Sequence, residues 1–462
     1  MRDGEVHSER AIRGKGLNER PDTTNLTKET MSLHRGQVER ETKFARIAKK
    51  ARENPDEVFT SLAHYLSEEF LISSYRKLRK SAAAGIDGQT CYDYELNWLG
   101  NIENLHKELR SWEYKAPDIR RTWIDKGAGK KRALGISNVE DKIVQRAVTD
   151  ILNNIYEHDF YDFSHGFRKG RSAHQALKQV RSSCMDGRIK WVLDADIQGC
   201  LDNFNHEILR ELLGRRVKDR YILRLINQWL KAGIIDGKSF HRNSKGTPQG
   251  NIISPLLCNI YMHYVLDEWM EQMVKPLLKG KAFITRYADD FVIGFENYQD
   301  ARRVMNTLPK RMEKYGLNIH PEKTKLVEFR PKGKAKAETI DFLGFTHYWT
   351  KSKRGLAVIK RRTTSKGLRK GIKKIEDSCR YNRHKPLKEQ FQLLQKKLRG
   401  LYQYYGIRSN FKALYTFYQL AKKRWYYWLN RRSQTNSYSW EGYNTLLRHF
   451  VLPRPRIIHN NV

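Results

Sequence analysis

Two adjacent aspartates interrupt an apolar, β-prone run, FITRYADDFVIGF, between Phe283 and Phe295. The pattern predicts a β-hairpin in which Tyr287, Phe291 and Val292 flank a tight turn holding Asp289 and Asp290. Paired carboxylates set against buried strands are costly unless something compensates them. A divalent cation is the natural compensation. A plain surface turn is the alternative, because Asp is a good turn residue, and the pair by itself fits both.

A second acidic site lies upstream. Trp191 to Ile197 reads WVLDADI, a short apolar run ending in Asp194 and Asp196. A strand that delivers an aspartate at its end places a metal ligand on a rigid element. Asp196 and Asp289 are far apart in sequence, so any pairing between them is tertiary. Carboxylates bridging two Mg²⁺ ions suit in-line phosphoryl transfer, one ion activating the attacking hydroxyl and the other stabilising the leaving pyrophosphate.

The surroundings narrow the choice. Lys and Arg number 88 against 51 Asp and Glu, a net charge of +37 over 462 residues. That excess calls for a polyanion, with nucleic acid ahead of an anionic membrane surface. No apolar stretch approaches the ~18 residues of a spanning helix, and the N-terminus lacks a secretory apolar segment. The five cysteines, Cys91, Cys184, Cys200, Cys258 and Cys379, are scattered singly. Neither a zinc site nor a disulfide framework follows from them, and a reducing compartment fits.

Patterning divides the chain further. Residues 1–40 read as a polar tail that orders only on binding. Helical periodicity is expected over Lys43–Lys80, with Phe59, Leu62, Tyr65 and Leu66 on one face, and again over Tyr92–Trp112, 139–157, 172–185, 206–232 and 299–315. A hairpin is expected over 116–138, around the turn at Lys126–Lys130. LVEF at 326–329 and FLGFTHYW at 342–349 read as a strand pair. The composition change near Lys351–Lys360 marks a candidate boundary, beyond which two stripes are expected to be helical: Leu394, Leu398, Leu401, Tyr402 and Tyr405, then Phe411, Leu414, Tyr415, Tyr418 and Trp425.

The loop KGTPQGNIISPLL, 245–257, lies between the two acidic sites. Gly246 and Gly250 permit a turn close to a ligand, Gln249 can hydrogen-bond a substrate, and Ser254–Pro255 opens a helix. Alone, this is an ordinary helix entry. In order, however, seven motifs resemble bacterial group II intron-encoded reverse transcriptases, or maturases. They are GIDG (85–88), RALGISNVEDKIVQRAV (132–148), GFRKGRSAHQAL (166–177), LDADIQGCLDNFNH (193–206), GTPQGNIISPLL (246–257), RYADD (286–290) and DFLGF (341–345). The resemblance covers roughly residues 60–455 and implies an α+β right-hand polymerase. Its expected parts are an N-terminal extension and fingers over 41–185, a palm over 186–350, an α-helical thumb or maturase domain X over 351–433, and a short tail over 434–462, at most a remnant of a DNA-binding segment.

The resemblance also implies residue roles. Asp196, Asp289 and Asp290, with the carbonyl of Ile197, become ligands of two Mg²⁺ ions, for which Mn²⁺ can substitute. Lys126 and Arg132 become triphosphate contacts, which suits cations on a hairpin. Gln249 lies by the incoming nucleotide. Leu343 and Gly344 form the primer grip, Arg168 and Arg171 line the template path, Lys323 supports the palm, and Lys422, Lys423 and Arg424 meet RNA among interleaved aromatics. Where the family carries an aromatic steric gate, this chain has Leu201. The implied partners are group II intron RNA, an RNA template with a DNA primer, dNTPs and target DNA, for a cytoplasmic monomer or dimer in a ribonucleoprotein without an HNH endonuclease. A silent RNA-binding maturase and a domesticated enzyme of phage defence or repair are the alternatives.

Overall fold

The computed structural model describes residues 42–127, 130–237, 239–331, 338–435 and 437–460. The expected N-terminal tail therefore lies outside the described residues. The strands are β1 (Ile119–Gly127), β2 (Lys130–Ile136), β3 (Trp191–Ala195), β4 (Ile234–Asp236), β5 (Ser239–His241), β6 (Ala282–Tyr287), β7 (Asp290–Phe295), β8 (Lys325–Glu328), β9 (Ile340–Phe342), β10 (Phe345–Lys351) and β11 (Ala357–Thr363). They form three sheets, ordered β2-β1-β4-β5, β6-β7-β3-β8 and β11-β10-β9.

The central sheet β6-β7-β3-β8 is antiparallel throughout. Side chains alternate across a strand, and here the alternation feeds two cores. Leu193, Ala195, Phe291 and Ile293 point to a large core shared with the helix Tyr298–Lys314, through Val304 and Leu308. Val192 and Val292 point the other way, to a core shared with the helix Ala173–Met185, through Ala176, Leu177 and Val180. Because both faces are covered, the strands read as near-continuous apolar runs. Of β7, only Asp290 is exposed.

The helix Val139–Tyr156 forms the axis of the large core, with Ile143, Val144, Ala147, Val148, Ile151, Leu152 and Ile155 fully buried. Neighbours in this set recur at i+3 and i+4, the helical period that the sequence displays. Beside it, β1 and β2 pair from Arg120↔Ile136 to Gly127↔Lys130, the expected hairpin, and β4 joins β1 in parallel.

The structure corrects several expectations. Lys43–Lys80 is not one helix. Residues 42–53 are helical, Ala63–Tyr65 is a single tight turn, and Glu68–Arg76 is the next helix. Pro55 cannot continue a helix, Phe59 instead bridges to Val217, and the amides of Leu62 and Ala63 bond Asp219 Oδ2 at 2.5 and 2.9 Å. The same aspartate divides 206–232 into His206–Gly214 and Arg220–Lys231, because its Oδ1 caps the amides of Tyr221 and Ile222.

The expected strand pair is also redistributed. β8 joins the central sheet, whereas FLGF turns sharply at Leu343 and Gly344, with φ of 48° and 76°, to pair β9 with β10. The composition change at Lys351–Lys360 falls inside the β10–β11 hairpin, and the C-terminal helices begin at Ser365. In the helix Phe411–Leu429, Phe411 and Tyr415 lie outward and half exposed, while Leu414, Phe417, Ala421 and Trp425 form the core. The tail 434–462, over its described part, packs on the helices before it. Tyr443 and Leu452 are buried with the C-terminal helices, and the amides of Ile458 and His459 bond the carbonyl of Gly406.

Candidate active site

The β6–β7 register pairs Tyr287 with Asp290 and leaves Ala288 and Asp289 as a two-residue turn. Ala288 takes φ of 59° there. β3 runs beside β7, with Ala195 opposite Phe291, so Asp196 leaves its strand next to Asp290. The carbonyl of Asp196 accepts from the His320 amide at 2.7 Å, and its Oδ2 meets Lys323 Nζ. Ile197 is buried at its bridge to Ile319. The three expected acidic residues thus converge on one end of the central sheet.

Burial, then Asp196, raises Asp289 above the usual carboxylate range against Arg132 and Arg286. Burial, then Asp289 and Asp196, pushes Asp290 up to about 6 against Lys323, although its side chain keeps an open side to solvent. A fourth carboxylate belongs to the group. Burial pushes Asp194 up to about 7, with Lys325 opposing and Asp341, Asp290 and Asp196 adding repulsion. A divalent cation relieves this kind of repulsion. Among the described residues, no group of three His, Cys, Asp or Glu side chains is placed so that it could by itself hold a metal ion. An open set of carboxylates leaves room for waters and phosphates on a divalent cation.

The 246–250 loop forms the next wall. Its backbone is joined to 201–204, the Thr247 amide donating to Leu201 O at 2.7 Å and the Gly246 amide to Phe204 O at 2.8 Å. Gly250, at φ 122°, lies so close to β2 that a Cβ would sit 2.4 Å from the Gly135 carbonyl. Gly135 in turn donates to Gln249 O at 2.7 Å. Gln249 bridges two elements: its Nε2 donates to Asp202 Oδ1 and Oδ2 at 3.0 and 2.8 Å, and its Oε1 accepts from Arg132 Nε. Between hairpin and loop opens a cleft of about 440 Å³ lined by Arg121, Lys131, Arg132, Arg242 and Lys245, with Asp202 as its acid. The side chain of Lys126 lies outside the described residues. Leu201 is half-buried and packs on the large core.

Other expected residues separate. Arg168 does not line an open path. Its side chain is 3% exposed, and its guanidinium donates to Glu157 and to the carbonyls of Tyr161 and Ser164. A guanidinium so fully engaged organises its own loop and offers no charge to a template. Arg171 pairs with Asp162 at the surface. Leu343 and Gly344 form the β9–β10 turn, and Tyr404 Oη donates to Leu343 O at 2.8 Å. On the helix Phe411–Leu429, Lys423 is exposed, Lys422 lies 5.9 Å from the Tyr418 ring, and Arg424 pairs with Glu376 at 2.8 Å. Trp425 is core, as its helix spacing suggests. Sequence reasoning passed over Arg242, Tyr404 and the role of Asp194. Only Asp194 gave a signal, standing two residues before Asp196.

Residues 124–347 match the family described as reverse transcriptase (RNA-dependent DNA polymerase). The group II intron-encoded protein LtrA of Lactococcus lactis subsp. cremoris is 39% identical over 230 residues, 49% of this chain and 38% of that protein. Protein YkfC of Escherichia coli is 36% identical over 201 residues, 43% of this chain and 52% of that protein. The putative COX1/OXI3 intron 1 protein of Saccharomyces cerevisiae is 28% identical over 304 residues, 55% of this chain and 36% of that protein. The matched stretch thus spans about half or less of each relative. Residues 124–347, which include Asp196, Asp289 and Asp290, thus carry a reverse transcriptase domain, and over this stretch the chain is similar to group II intron-encoded proteins.

Proposed function

We propose that this chain is an RNA-directed DNA polymerase that copies RNA into cDNA from a DNA primer, and that it binds a group II intron RNA to promote splicing and retrohoming. The observation that carries the polymerase reading is the convergence of Asp196, Asp289 and Asp290 at one end of the central sheet, where Arg132, a lining residue of the cation-rich cleft of about 440 Å³, acts on the charge of Asp289. In this reading the central sheet is the palm, the β1–β2 hairpin the fingers, and the C-terminal helices the thumb and maturase domain.

Each step follows from the chain's own groups. Arg132, Lys131 and Arg121 neutralise the phosphates of an incoming dNTP, a task suited to guanidinium forks. Gln249, held by Asp202, fixes the loop under the sugar and base. The β9–β10 turn holds the primer end, braced by Tyr404. Asp196, Asp289 and Asp290 would hold two Mg²⁺ ions, or Mn²⁺ in their place, which supply charge neutralisation at the attacking and leaving oxygens. Outward Lys423, Phe411 and Tyr415 offer cations and rings to RNA. Among the described residues no helix is long and apolar enough to cross a membrane.

Primer extension on poly(rA)/oligo(dT) with Mg²⁺ tests the polymerase reading. Wild type is expected to incorporate dTTP and Asp289→Ala to fall to background. Equal incorporation by both defeats the assignment. A splicing assay with the intron that flanks the gene tests the second role, with accelerated splicing as the expected result.

A further inference from the structure

Arg286 and Asp267 form an ion pair whose side chains are both 0% exposed. Arg286 Nε and Nη2 donate to Asp267 Oδ1 and Oδ2 at 2.8 and 2.5 Å. Burying such a pair seldom stabilises a protein relative to well-packed apolar side chains, so burial alone does not explain it. The third nitrogen indicates another purpose. Arg286 Nη1 donates to the carbonyl of Ala288 at 2.9 Å and to Asn259 Oδ1 at 3.1 Å. The guanidinium is planar and rigid, so two bonds to Asp267 aim the third at the turn.

The turn needs that support. Ala288 adopts φ of 59°, which an L-residue with a Cβ enters at a cost, and such a conformation persists only where its surroundings over-determine it. The opposite side is closed by Gly166, where a Cβ would sit 2.3 Å from the Ala288 nitrogen. Asn259 Nδ2 donates to Gly166 O at 2.6 Å, and the Arg286 backbone is bonded on both sides, to Phe163 O at 2.9 Å and from the His165 amide at 2.8 Å. Asn259 therefore joins the two sides of the clamp. Asp267 reaches this point at the end of a π-helical turn, His263–Asp267, that follows the helix Ser254–Met262. Such widened turns recur at functional sites.

We infer that Asp267, acting through Arg286, is a positioning residue that fixes the Ala288–Asp289 peptide, and so aims the Asp289 carboxylate. The role rests on the polymerase reading above. It explains why an ion pair occupies a place that Leu and Met would fill: the pair orients the turn, and the core would hold without it.

The test uses the full chain with the double substitution Asp267→Leu/Arg286→Met, alongside Arg286→Lys, which keeps the charge and loses the fork. The double variant is expected to melt within a few degrees of wild type and to bind primer–template equally well. Its kcat for primer extension is expected to fall about 10- to 100-fold with KM for dNTP unchanged, the scale of a misplaced reacting group. Hydrogen exchange at the 287–291 amides is expected to speed up while the other central strands keep their protection. Arg286→Lys is expected to show the same kcat loss. Wild-type kcat in the double variant overturns the inference, as does a loss matched by faster exchange throughout the central sheet. If wild type itself makes no cDNA, the polymerase reading fails, and exchange at 287–291 still decides whether the pair holds the turn.

Discussion

The ammonium of Lys323 lies against Oδ2 of Asp196, joining the segment before β8 to the acidic end of β3. Lys323 is more than half exposed, so the contact is worth little by itself, at most about 1 kcal/mol. Its position matters more, because the lysine occupies charge space that a divalent cation would share. Lys323→Met is expected to lower the Mg²⁺ concentration giving half-maximal primer extension, up to roughly fivefold for that energy. An unchanged midpoint in a Mg²⁺ titration rules out this competition.

Asp290 gives a pH prediction. Its folded value of about 6 lies above the ordinary 3.8, so the folded state holds more protons between those values. The stability this group contributes is full below about pH 4 and is lost as pH rises through about 6. In EDTA, wild type is expected to lose thermal stability relative to Asp290→Asn as pH goes from 4 to 7. Parallel melting curves for the two proteins count against the crowding.

Asp141 is buried in the first turn of the helix Val139–Tyr156 and collects three donors: Tyr114 Oη at 2.8 Å, Trp229 Nε1 at 2.6 Å and Gln145 Nε2 at 2.8 Å. Asp141→Leu leaves those donors unpaired, and each unmet partner costs on the order of 1–3 kcal/mol. A loss of about 3 kcal/mol or more is expected in urea unfolding. A variant within 1 kcal/mol of wild type shows that water replaces the carboxylate.

Tyr404→Phe removes only the hydroxyl that holds the Leu343 carbonyl. The expected cost is about 1 kcal/mol, felt as shorter products per binding event with little change in single-nucleotide addition. Product lengths under a heparin trap measure it, and unaltered lengths leave the β9–β10 turn without a role in primer holding.

Leu201, at the position where the resemblance implies a steric gate, is half-buried beside the 246–250 loop. Leu201→Phe is expected to raise the dNTP/NTP selectivity of extension severalfold. An unchanged ratio shows that the sugar is read elsewhere.

The elements with unbroken patterns were legible in the sequence. The β6–β7 hairpin, β3, the β1–β2 hairpin and the helix Val139–Tyr156 each carry their period on one stretch of chain. The helix through Lys43–Lys80 and the unbroken 206–232 helix were misread for one reason. Asp219 draws two amides from a segment more than 150 residues away while capping its own helix, and no local pattern encodes that dual bond. Arg168 was misread because a guanidinium that binds its own loop and one that binds a template look alike in sequence.

The sequence by itself determined the chemistry: which carboxylates, which cations and which glycine loop stand in a reverse transcriptase order, because residue types and their spacing are local. Tertiary structure decided which groups share the site and in what state. Asp194 feels the charges of Asp290 and Asp196, Gln249 ties Arg132 to Asp202, and the Asp267–Arg286 pair holds the Ala288 carbonyl at the turn. Those relations depend on burial and register between segments far apart in the chain, and no local pattern specifies them.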